Sequence, residues 1–301
     1  MIWHKISPAI LTLLVFLLAQ GFGTILLFGI GMLASPDFNT AVQAYFSGAT
    51  QNLPLFELLS VSTISLVLMA VDLFAVLCCI LFLHNIRLAT VCDISFISWR
   101  QGLLAIAGGI CGAISISILT EAMEIPDMML QTSLALSHNI WGLLALAIVG
   151  PITEELLFRE AIAGEMLRRG ANPWIAILTS ALAFSTVHLN LAQGLYALPL
   201  GILFGIIYYK TGNIVLSSLL HILNNSIVVI QLYILGEDIA ELSYSDLLGG
   251  DLNVYAAMIG FGILCIVLMK YFYIYPTTEA DFCPSHFQLQ NEGKQPNEPI
   301  C

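Results

Sequence analysis

Charge is what this chain has least of. Asp, Glu, Lys and Arg together make up 10% of its 301 residues, where ordinary soluble domains carry about 25%. Hydrophobic residues supply 58%, in runs long enough to require helices that satisfy their own backbone hydrogen bonds in lipid. The composition therefore specifies an all-α, polytopic membrane helix bundle. Positive charge is scarcer still: 9 Lys and Arg against 20 Asp and Glu give a net charge of −11. Such a balance leaves no basic footprint for nucleic acid and excludes that class of partner.

Other signatures are missing as well. The seven cysteines contain no C-x-x-C pair, so none has metal-ligand spacing. Cys78, Cys79, Cys111 and Cys265 fall in apolar stretches and read as small hydrophobes, while Cys92, Cys283 and Cys301 fall on the expected cytoplasmic side, where disulfides are disfavoured. There is no H-E-x-x-H and no internal repeat, the latter a feature of many transporters. The first apolar run is too long and glycine-rich for a signal peptide and is expected to remain as a spanning helix.

What is present is a series of about eight apolar stretches, each near the ~20 residues that cross a bilayer core. They lie near Pro8–Leu33, Leu59–Leu83, Gly102–Thr120, Asn139–Arg159, Trp174–Leu191, Leu195–Lys210, Ile214–Leu235 and Val254–Ile274. With the N terminus inside, every Lys and Arg falls at a cytoplasmic end, and the opposite loops carry only acids such as Asp37, Asp127 and Asp246. Both termini are thus expected in the cytoplasm of a multi-pass membrane protein. Four regions follow: 1–142 with the first three helices and the start of the fourth, a core at 143–232, an outer loop and last helix at 233–275, and a polar tail at 276–301 expected to be disordered.

Five ionisable groups interrupt the apolar core. A charge near the bilayer centre costs roughly 2.5–3.5 kcal/mol on insertion scales, so these groups need a reason. Glu154 and Glu155 are adjacent and point about 100° apart on a helix. Glu155 precedes Arg159 by four residues, the favourable order for an ion pair, which leaves Glu154 free to face the histidines. Phe184 with His188, and His221 with Asn225, each share a helix face. Glu154 lies seventeen residues before Ala171 and His188 seventeen after it. In an antiparallel pair of equal rise the two would reach the same depth. Gly150-Pro151 is expected either to kink its helix or to begin a new one. Glu160, Glu165, Arg168 and Arg169 are expected to make the end of that helix amphipathic and project it into the cytoplasm. Asp72, with no evident basic partner, reads as a protonated, hydrogen-bonded structural acid, and Gly201-x-x-x-Gly205 as a close-packing pair.

The ordered set E-E-x-x-x-R at Glu154 to Arg159, F-x-x-x-H at Phe184 to His188 and H-x-x-x-N at His221 to Asn225 resembles the CPBP family of intramembrane proteases. That family contains the type II CAAX prenyl endopeptidases and the bacterial Abi, bacteriocin-processing or self-immunity proteins. The resemblance runs from about Leu143 to Leu232. It implies an endopeptidase open to the cytoplasmic face, acting on a peptide or protein at the lipid bilayer, a prenylated protein or a leader peptide. Carried over, Glu154 and His188 activate a water and His221 and Asn225 stabilise the oxyanion, supported by Glu155, Arg159 and Phe184. A metal-independent reaction with no cofactor is the favoured expectation. A zinc ion held by Glu154, His188 and His221 is the alternative. A non-catalytic immunity or scaffold protein and a proton-coupled transporter are the competing classes.

Overall fold

The computed structural model describes residues 2–50, 55–88, 91–92, 97–240 and 242–275. The expected tail at 276–301, with Cys283 and Cys301, lies outside the described residues. Among those described there are helices and no strands.

Eight apolar helices form the bundle: α1 (Ile2–Ala34), α2 (Val61–Leu83), α3 (Trp99–Glu121), α4 (Ile140–Arg168), α5 (Pro173–Thr186), α6 (Leu191–Thr211), α7 (Val215–Leu235) and α8 (Asp251–Ile274). Seven are long and apolar enough to cross a membrane, and α5 is the shorter one. Its 14 residues reach only ~21 Å at 1.5 Å per residue, against a hydrocarbon core of about 30 Å. The expected stretch Trp174–Leu191 is cut at Thr186, after which the chain turns through Leu189 at φ 50° before α6 begins. A positive φ is uncommon for a non-glycine residue.

Local sequence explains the ends that matter for the site. Asn172 caps α5 by accepting from the Trp174 amide at 2.9 Å, with Pro173 at the first helical position. Gly170 (φ 73°) and Gly212 (φ 70°) supply the left-handed residues that close α4 and α6. A Cβ on Gly201 would meet Ala181 Cα at 3.1 Å, and one on Gly205 would meet Ile177 Cγ2 at 2.9 Å. The two glycines thus let α6 lie directly on α5.

The two largest hydrophobic clusters lie side by side in the bundle. One joins α1, α2, α4 and α5 with Ala197 and Tyr208 of α6 and includes Phe158 and Phe184, and the other joins α3, α6, α7 and α8 and includes Phe204 and Leu220. α2 and α4 run parallel and are tied at both ends. Asn139 Nδ2 donates to Ser62 Oγ at 3.1 Å, and Asn85 Nδ2 donates to the Ala161 carbonyl at 3.2 Å.

α4 is continuous through Gly150-Pro151, so the proline neither breaks it nor starts a separate helix. Instead, π turns lie on both sides, at Ala145–Val149 and Glu155–Gly164. Such turns are rare and concentrate at functional sites. Their different rise removes the equal-rise premise that placed Glu154 and His188 at one depth.

The end of α4 also departs from expectation. Glu160 and Arg168 are buried rather than part of an exposed face. Arg168 Nη1 donates to Glu160 Oε1 at 2.8 Å, its Nη2 donates to the Asn85 carbonyl at 2.7 Å, and the Tyr208 hydroxyl donates to Glu160 Oε2. Only the outer pair, Arg169 with Glu165 at 2.8 Å, follows the amphipathic pattern. Charge spacing shows which side chains can pair but not what packs over them, and here the segment after α2, at Asn85 and Arg87, and Tyr208 of α6 cover the pair.

Candidate active site

The polar groups from α4, α5 and α7 meet at the boundary between the two hydrophobic clusters. Glu155 and Arg159, one turn apart, face each other at 3.3 Å with both side chains wholly buried. Among the described residues, no aligned hydrogen-bond acceptor reaches the Arg159 guanidinium. Its charge rests instead on aromatic faces, 4.6 Å from the Phe184 ring centre and 5.3 Å from that of Phe204. A desolvated cation over an aromatic face is worth about 2 kcal/mol or more. Phe184 comes from one cluster and Phe204 from the other, so Arg159 lies at the seam.

His221 stands between the two glutamates. Its Nδ1 is 3.2 Å from Glu155 Oε1 and its Nε2 is 3.5 Å from Glu154 Oε2. The first is a hydrogen bond; the second is longer than one. The imidazole is itself packed against Phe184 (ring centres 5.5 Å apart) and Phe204 (5.0 Å), which fixes its plane. Glu155 thus holds Arg159 with one oxygen and His221 with the other. Glu154 points the other way, as two adjacent helical residues must, and its side chain is 27% exposed while that of His221 is 5% exposed.

His188 sits just past the end of α5, where carbonyls lack helical partners. Its Nδ1 is 2.8 Å from the Phe184 carbonyl. A carbonyl only accepts, so Nδ1 carries the proton and in the neutral ring Nε2 keeps its lone pair. The polar neighbour of Glu154 is His221; His188 joins the group through Phe184, whose ring is edge-on to both imidazoles.

Asn225 completes the set, held by a backbone carbonyl that the π turn leaves free. In the π turn the Gly150 N–H goes to the Ala145 carbonyl, five residues back. The Leu146 carbonyl therefore loses its α-helical donor, and Pro151, the next available residue, has no N–H. Asn225 Nδ2 donates to that carbonyl at 3.0 Å. Pro151, at first sight only a helix disturbance, thus creates the acceptor that anchors Asn225.

Residues beyond the expected set line the same region. Phe204 carries no motif spacing, Tyr196 and Asn224 are hydrogen-bonded to each other, and Gln20 of α1 donates to Asp72 Oδ1 at 2.9 Å. Asn224 is adjacent in sequence to Asn225, which was the one available signal. The others depend on which helices become neighbours. Asp72 has the hydrogen bond its reading required.

Among the described residues no three His, Cys, Asp or Glu side chains are grouped so as to hold a metal ion. Glu154 and His221 approach each other, but His188 does not complete a three-ligand set with them.

Comparison with known proteins falls on this part of the chain. Residues 136–227 match the family described as "Type II CAAX prenyl endopeptidase Rce1-like". The likeness covers less than a third of the chain. The Rce1-like segment contains all seven residues of the three motifs and the π turns that shape α4. A curated relative, the "Putative membrane peptidase YdiL" of Bacillus subtilis (strain 168), is 35% identical over 85 residues, which are 28% of this chain and 34% of that protein. The match thus spans about a third of that relative's length. No solved structure matches. α1, α2, α3 and α8 lie outside the Rce1-like segment.

Proposed function

We propose that this protein is an intramembrane endopeptidase that hydrolyses a peptide bond with a water activated by Glu154 and His188. The observation that carries the reading is the unequal treatment of two adjacent glutamates. Glu155 is wholly buried and engaged by Arg159 and His221, whereas Glu154 is partly exposed and has His221 Nε2 only at 3.5 Å, beyond hydrogen-bond distance.

The chemistry follows from the donors and acceptors. A carboxylate at Glu154 and the lone pair on His188 Nε2 both accept from water, so they suit a general base and its partner. As Glu154 takes a proton, the hydroxide oxygen bonds to the carbonyl carbon and the C=O electron pair moves onto oxygen. Because Nδ1 donates to the Glu155 carboxylate, His221 carries an Nε2–H only as the imidazolium; in that form its Nε2–H and the second amide hydrogen of Asn225 are the donors for that oxyanion. Collapse breaks the C–N bond, and the proton on Glu154 passes to the departing amine. Glu155 keeps the His221 ring oriented throughout.

The substrate is a peptide or protein reached from the cytoplasmic side of a bacterial cell membrane. The family's description makes a C-terminal peptide with a prenylated cysteine the first candidate, and a leader peptide the second. The metal-independent reaction is the one proposed; the zinc-dependent alternative calls for Glu154, His188 and His221 as ligands. The test uses purified full-length protein in micelles with a farnesylated Cys-aliphatic-aliphatic-X peptide, followed by mass spectrometry. Wild type should release the terminal tripeptide and Glu154→Gln should not, at unchanged thermal stability. Equal cleavage by both would remove Glu154 from the chemistry. No cleavage of this or a leader-peptide panel, with a cellular phenotype that survives Glu154→Gln, would replace the enzyme by a scaffold or immunity protein.

A further inference from the structure

Asn225 does not reach its position alone. Beginning from the Leu146 carbonyl, every hydrogen-bond direction in its neighbourhood is determined. That carbonyl only accepts, so Asn225 turns Nδ2 toward it at 3.0 Å. Its Oδ1 therefore faces α7's own Asn224, whose Nδ2 donates to it at 3.3 Å. Asn224 Oδ1 must then face the other way, and there it accepts from the Tyr196 hydroxyl of α6 at 2.6 Å. The sequence of donors runs from Tyr196 through Asn224 and Asn225 to Leu146, and it has one direction only.

We infer that Tyr196 and Asn224 are positioning residues that fix the amide of Asn225 so that its remaining Nδ2 hydrogen is presented to the substrate oxyanion. The inference rests on the reading of Asn225 as an oxyanion donor. An amide is nearly symmetric in shape, and a flip would offer an oxygen lone pair where an N–H is needed. Leu146 opposes that flip from one side, because a reversed Asn225 would set Oδ1 against a carbonyl. Tyr196 opposes it from the other, because without its hydroxyl Asn224 could rotate and withdraw its donor from Asn225 Oδ1. The relay also ties α6 to α7, so the donor's aim depends on how these two helices are seated.

The test is a cycle of substitutions on the full-length protein with the farnesylated peptide. Tyr196→Phe removes only the hydroxyl. It should lower kcat by up to ~10²-fold, the scale of a misplaced catalytic group, with KM little changed. In an Asn225→Ala background the same substitution should cause no further loss, because there is no amide left to aim. Wild-type kcat in Tyr196→Phe, or the same loss in both backgrounds, would overturn the relay while leaving the protease reading in place. An activity-independent measurement separates the two ideas: in protein carrying ¹⁵N-labelled asparagine, the side-chain amide signal absent from Asn225→Ala should move in Tyr196→Phe. A shift in a protein that cleaves nothing would support the relay and count against the enzyme. A signal that stays in place overturns the relay whatever the activity.

Discussion

Glu155 and Arg159 meet at 3.3 Å with neither side chain exposed, and the pair is the electrostatic floor on which His221 rests. Two such charges in an apolar interior carry a large desolvation penalty, which their attraction offsets only while both are present.

Removing one partner should therefore be far worse than removing both. Arg159→Ala is expected to destabilise the folded protein by about 3–5 kcal/mol, read as a fall in thermal midpoint and yield in micelles. Glu155→Gln combined with Arg159→Met should recover much of the loss. A double variant no more stable than Arg159→Ala would show that the aromatic packing of the guanidinium, rather than the uncompensated charge, sets the cost.

Metal removal bears on the chemistry. Exhaustive chelation followed by dialysis is expected to leave peptide cleavage at its original rate, and added zinc is expected to have no activating effect. Loss of turnover on chelation with recovery at one equivalent of zinc would instead establish the ligand set Glu154, His188 and His221.

The packing of α4 against the short helix Leu130–Ser137 offers a stability test remote from the chemistry. A Cβ on Gly142 would lie 2.1 Å from the Leu136 carbonyl oxygen, a backbone atom that cannot step aside, whereas nothing lies within 4 Å of one on Gly260. Gly142→Ala should cost at least ~1–3 kcal/mol, the usual scale of overpacking. Gly260→Ala should be neutral or slightly stabilising.

Topology can be read by labelling. Single cysteines introduced at Asp37, Asp127 and Asp246 into a cysteine-free background should react with an impermeant maleimide added to intact cells. Cysteines beside Arg87 and Lys210 should react only after permeabilisation. The reverse pattern would invert the bundle and place the site's opening on the other side.

Much of this site was legible in the sequence because its key pairings are local. The i,i+4 spacings of Glu155 with Arg159 and of Phe184 with His188 describe contacts within a few residues, and they appear at 3.3 Å and 5.0 Å. The helical class and the number of apolar segments followed from composition and length. What could not be read depends on contacts between helices or on departures from ideal helix geometry. Nothing about Phe204 or Tyr196 marks them until α6 is known to face α7. The π turns in α4 leave no trace in hydropathy, yet they change its rise and free the Leu146 carbonyl. Glu160 and Arg168 look like surface charges by pattern and become interior ones because the segment after α2, at Asn85 and Arg87, and Tyr208 of α6 cover them.

The brevity of α5 has a consequence for the lipid around it. A helix of 14 residues leaves several ångströms of hydrocarbon unmatched on the side where Leu189 projects, and a bilayer meets such a deficit by thinning or by drawing its headgroups inward. Hydrolysis needs water at a depth where the membrane normally excludes it. Under the proposed hydrolysis, a dent in the bilayer beside the His188 turn would bring the hydrated interface toward the reacting groups, and the missing turns of α5 would then do in lipid what a channel would otherwise have to do through protein.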